Sequence, residues 1–156
     1  MTSNPLKTPT EPGTFQINSR RFGRISVRPD QIIILTPGLL GFSKYHRYIL
    51  IEHQKESPFL WLQSLENPDL AFVVIDPGLI IPGYKPGNLE EIRRELEAEK
   101  AQDIKILVIL TIPSGRPQEM TANLMGPVVI NLKTRRGKQL IVEEPRYSHK
   151  HRILPK

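Results

Sequence analysis

Apolar positions follow two spacings along this chain, alternating through many short runs and helical in one. Residues 14–21 place Phe15 and Ile17 on one side, and Ile25 and Val27 alternate with Arg24, Ser26 and Arg28. Residues 31–36 are rich in β-branched side chains and stop at Pro37. Residues 47–53 set Ile49 and Ile51 against Tyr48 and Leu50. The runs 59–65, 71–76 and 104–112 are apolar on both faces, as central strands are. The run 122–132 is similar but carries Gly126-Pro127, a pair that predicts a bulge or an edge position, and 139–142 completes the set. Residues 88–102 differ: Leu89, Ile92 and Leu96 share a helical stripe, with Asn88 placed to cap and Glu91 three residues on. The pattern predicts an all-β, mainly antiparallel β-barrel-like domain with one short surface helix near residues 89–101.

Composition narrows this picture. A chain of 156 residues forms one domain, and its fifteen prolines oppose long helices. The organisation expected is a disordered lead over 1–13, a barrel-like domain over 14–145 and a basic C-terminal tail over 146–156. The lead lacks an apolar signal core and no run reaches the roughly 18 apolar residues of a membrane span, so a monomer in the cytoplasm is expected. There is no cysteine, which excludes disulfides, thiolate metal sites and cysteine nucleophiles. The formal charge of +6 is placed unevenly: residues 1–132 hold 14 cations and 14 anions, residues 133–156 hold 8 and 2. The excess lies wholly at the C-terminal end, where nucleic acid, an anionic surface or an acidic protein would meet it.

Catalytic chemistry finds little support. His46, His53, His149 and His151 come with no third metal ligand and no paired acid, and no G-x-S-x-G, H-E-x-x-H or phosphate-binding glycine loop occurs. Asp69 and Asp76 each lie in turn chemistry, Asn67-Pro68-Asp69 and Asp76-Pro77-Gly78. Gly38 and Gly41 bracket a tight turn. No enzyme, no cofactor and no metal are expected. The cluster 133–138 joins two apolar runs and reads as a hairpin tip, with Gly137 free to take a positive φ. Stacking aromatics, which specific single-stranded RNA binding wants, are missing around it. Phe59, Trp61, Phe72, Ile106 and Val108 are expected in the core.

Several strings together resemble the flagellar assembly factor FliW family. They are RFGRISV (21–27), GLLGF (38–42), SPFLWLQS (57–64) and PDLAFVV (68–74) followed by Asp76-Pro77, then TANLMGPVVIN (121–131), TRRGKQ (134–139) and YSHKH (147–151). The resemblance implies a compact β-barrel-like fold, no catalysis, and two protein partners. One is the carbon storage regulator CsrA, an RNA-binding translational repressor; the other is flagellin, held in a chaperone-like partnership. FliW-like proteins keep CsrA off flagellin mRNA, and free flagellin occupies FliW and returns CsrA to the message. The family's members are usually acidic, and the basic end departs from that.

Candidate partner contacts follow from polar residues that interrupt apolar strands. Gln63 falls on the Trp61 face and Ser64 opposite, and Asn67 and Asp69 form the adjoining turn. Arg135, Arg136 and Lys138 form a second candidate set. Phe42 is either a plug into the barrel or an exposed anchor. The alternative to an antagonist of CsrA is a β-barrel that binds RNA directly through its basic tail.

Overall fold

The computed structural model describes residues 13–52 and 54–154. Residues 1–12 of the expected lead and His53 lie outside them. The strands are β1 (Phe15–Ser19), β2 (Gly23–Val27), β3 (Ile33–Leu35), β4 (Arg47–Ile51), β5 (Leu60–Ser64) and β6 (Ala71–Ile75). They continue with β7 (Ile104–Thr111), β8 (Thr121–Ala122), β9 (Val128–Asn131), β10 (Arg136–Gln139) and β11 (His151–Arg152). The helix α1 spans Leu89–Glu95.

Neighbouring strands run β7-β6-β5-β4-β3-β10-β9, and β9 pairs with β7 again, which closes a barrel. All its pairings are antiparallel except one: β3 and β10 run parallel, Ile34 opposite Arg136 and Leu35 opposite Gly137. The fold class read from the alternation is therefore correct. Strand phase is correct as well in β4, where Tyr48 is fully buried in the barrel interior with Leu62, Val74 and Ile130 while Leu50 packs against them.

The outer wall is also apolar, and separate pieces of chain roof it. The helix lays Ile92 and Leu96 on Val129, Ile104 and Ile106. Residues 122–125, with Val142 and Tyr147, cover Ile75, Val108 and Leu110 on β6 and β7. The β1–β2 hairpin forms its own two-stranded sheet, and its tip lies against β5. Burying both faces of the sheet explains why its central strands read as unbroken apolar runs.

Three expectations change. The helix stops at Glu95 because Leu96 caps it and Glu97 takes a φ of 54°, while the Asn131 amide donates to the Leu96 carbonyl at 2.9 Å. The 122–132 run divides into β8 and β9 around Gly126-Pro127, and the last barrel strand is 136–139 rather than 139–142. The chain beyond residue 145 is packed on the barrel: Tyr147 is 4% exposed, its ring lies 4.6 Å from that of Tyr84, its hydroxyl accepts from the Lys85 N–H, and β11 pairs with β8.

Candidate partner-binding surface

The polar residues of β5 are the most informative. Gln63 and Ser64 are both fully buried, so neither is the exposed contact expected from the sequence. Gln63 accepts from the Ser19 hydroxyl at 2.7 Å and donates to the carbonyls of Ser64 and Leu70 at 3.0 and 3.1 Å. The Ser64 hydroxyl accepts from the N–H groups of Glu66 and Asn67. A buried amide and hydroxyl are tolerated because nearby backbone groups satisfy them. Their task is to shape the 64–70 turn and dock the hairpin tip on it, with the Arg20 N–H donating to Pro68 as a further tie.

That turn presents Asp69 and, less openly, Asn67. Asn67 Oδ1 accepts from the Asp69 N–H, and its amide reaches the Tyr45 hydroxyl at 3.3 Å. Asp69 is exposed, 3.8 Å from Arg20. Glu66, behind it, accepts from the N–H groups of both His46 and Arg47. Burial alone would raise its carboxyl, but those two donors and the Arg47 and His46 charges outweigh it and hold the group below its usual 4.5.

Phe42 combines both expectations. It is 37% exposed, and its ring meets Phe72 edge-on at 5.2 Å. Gly38 has crowding rather than positive φ as its reason, because a Cβ there would lie 2.7 Å from the Tyr45 carbonyl oxygen; Gly41 carries the positive φ of the loop.

The basic residues divide. Arg135, not Gly137, holds the positive φ of the β9–β10 turn, at 61°. Gly137 is needed for a different reason, since a Cβ there would meet the Val129 carbonyl oxygen at 2.2 Å. Arg135 is half-buried and donates to the Gln31 carbonyl. With Arg136, Lys133 and Arg47 it lines a cleft of about 620 Å³ floored by Ile32 and Ile34, and Asp30 is the one acid in that lining. Lys138 turns the other way, 3.7 Å from Glu95 of α1. The expected basic set is therefore not one surface.

Five residues had been expected in the core. Trp61, Phe59, Phe72 and Ile106 are only half-buried, and of the five named core residues Val108 alone is fully enclosed. Trp61 faces outward, with the Phe22 ring 5.5 Å away edge-on and the Arg21 guanidinium 4.2 Å above its face. Apolar residues on both faces of 59–65 made Trp61 read as core, because the pattern does not record which face is roofed. Among the described residues no three His, Asp or Glu converge on a metal-sized site, and no helix is long and apolar enough to cross a membrane.

Comparison with known proteins covers nearly the whole of this architecture. The family model described as FliW protein matches residues 16–153. A flagellar assembly factor FliW of Thermoanaerobacter pseudethanolicus is 41% identical over 140 residues, 89% of this chain and 93% of that protein. One from Leptospira biflexa is 41% identical over 138 residues, 88% of this chain and 90% of its own length. A crystal structure of the flagellar assembly factor FliW superposes with a TM-score of 0.80 at 34% identity, covering 91% of this chain and 99% of the other.

Proposed function

Since the chain belongs to the FliW family of flagellar assembly factors, we propose that it acts by occupancy, binding the translational repressor CsrA in the cytoplasm and relieving repression of flagellin mRNA, with flagellin as the competing partner. The observation that carries this reading is the extent of the family match, which takes in the barrel and all three of its roofs rather than one motif. The geometry supports a binding protein: the polar residues that interrupt β5 are spent on internal hydrogen bonds. A protein without a reacting set influences its partners only through linked equilibria.

The test is titration into a preformed complex of CsrA and flagellin messenger. RNA release is expected to saturate at a fixed ratio of protein to CsrA, and monomeric flagellin to reverse it, because two ligands that exclude each other do so reciprocally. Release that continues catalytically, or simultaneous binding of both partners at unchanged affinity, overturns the proposal. Direct RNA binding through the basic end is disfavoured by how that end is used. Arg146 pairs with Glu144 and lies over Tyr147, which is itself buried. Filter binding is expected to show only weak RNA retention that vanishes as salt rises.

A further inference from the structure

Between the hairpin tip and the 120–125 segment, the outer wall of the barrel is left without a roof. Three concavities there share walls. The first, about 260 Å³, includes Phe59, Trp61, Val73, Ile112 and Met120. The second, about 360 Å³, shares Trp61, Val73 and Ile112 with it and adds Arg21 and Ala71. The third, about 290 Å³, shares Arg21 and Ala71 with the second and ends at Arg20 and Asp69. They form one groove across β5, β6 and the end of β7. The Phe59-to-Gln63 stretch of its floor is about 13 Å long at roughly 3.3 Å per strand residue, comparable with two helical turns of about 11 Å.

The charge along the groove is one-sided. Among the described residues its lining holds three charged ones, Arg20, Arg21 and Asp69, all at the hairpin end. Arg20 and Asp69 are 3.8 Å apart and both well exposed, a weak pair. Arg21 makes no ion pair among the described residues and rests on the Trp61 ring. Among the described residues the lining of the opposite end carries no charge, and it exposes Ile112, which is 43% accessible.

We propose that this groove docks an amphipathic segment of a protein partner, apolar on the face turned to Trp61, Val73 and Ile112, with acidic side chains at the end that reaches Arg20 and Arg21. Of the three aromatics in the lining, Phe59 and Phe72 are half-buried and Trp61 already lies under a guanidinium, a poor platform for stacking bases, which favours a peptide over a nucleic acid. An arginine beside an apolar trough supplies orientation, since a reversed segment would leave its carboxylates on Ile112 and Met120. The proposal does not depend on which protein supplies the segment, and it can stand if CsrA and flagellin do not bind.

Trp61 is the chain's one tryptophan, so its emission reports on the groove directly. The probe is a short synthetic helix-forming peptide without tryptophan, with leucines along one face and two aspartates at one end. Its comparator carries lysines in place of the aspartates. The acidic peptide is expected to shift Trp61 emission to the blue saturably and to bind about tenfold more tightly than the basic one. Arg21→Glu is expected to reverse that preference, and Ile112→Asp to abolish binding of both peptides. Both positions are exposed, so the variants are expected to melt with the wild type, and Leu40→Asp, on a different exposed loop, is expected to bind as the wild type does. Equal affinity for the two peptides, no response of Trp61 to either, or an unchanged preference in Arg21→Glu overturns the proposal.

Discussion

Glu66 shows how much a single side chain can hold at the mouth of the β4–β5 pair. Its carboxylate gathers two backbone N–H groups and lies 3.7 Å from the Arg47 guanidinium. Its folded-state pKa lies below the usual 4.5. A lowered carboxyl stabilises the fold above the unfolded value and loses that contribution as pH falls through the folded one. Glu66→Gln is therefore expected to cost about 1–2 kcal/mol near neutrality, with the gap to the wild type closing in acid. Urea melts at a series of pH values check both parts, and a gap that is constant with pH contradicts the assignment. Other single residues were misjudged in the sequence for a common reason. Gln63 stood out as polar in an apolar strand, yet whether it meets solvent or Ser19 depends on a hairpin 44 residues earlier in the chain. Trp61 likewise looks like core until the place where its roof ends is known.

Elements were legible where their own side chains determine them. Apolar patterning located the barrel strands other than β10, and Asn88 does cap the helix, accepting from the N–H groups of Glu90 and Glu91. Ends were less legible because distant residues set them. The helix was read to 101, whereas Asn131 holds its end by donating to Leu96 while accepting from the N–H groups of Lys133 and Thr134. Asn131→Ala is expected to cost about 2–3 kcal/mol, the loss of a buried amide that serves two elements. Hydrogen exchange should then speed up together in the last turn of α1 and in the β9–β10 turn. Acceleration in only one of them would refute the coupling. Gly137→Ala tests the close approach of β10 to β9. A methyl group placed 2.2 Å from a strand carbonyl oxygen must push backbone aside, and about 1–3 kcal/mol or more of stability is expected to go in thermal melts.

At the scale of the whole molecule, charge was a poor guide to architecture. Its basic residues set 146–156 apart as a tail, whereas Tyr147, closed in by Tyr84 and bonded to Lys85, packs that stretch on the barrel. Removing residues 146–156 is accordingly expected to lower the melting temperature and expose the Ile75–Leu110 cluster to hydrophobic dyes; a truncated chain that melts with the wild type argues against this. The candidate surface was legible only in part. Asp69 and Arg136 are exposed as expected, but the groove beside Trp61 is made by what fails to cover it, and no local pattern records an uncovered space. The parallel seam has a consequence in time. Ile34 lies opposite Arg136 across it, so on a ribosome adding about 5–20 residues per second roughly 5–20 s separate synthesis of the two. Throughout that interval the nascent β3 has no partner on the side β10 will take, an open edge that other growing chains can reach. The speed of translation thus sets how long this protein is vulnerable to wrong pairing before its last barrel strand arrives.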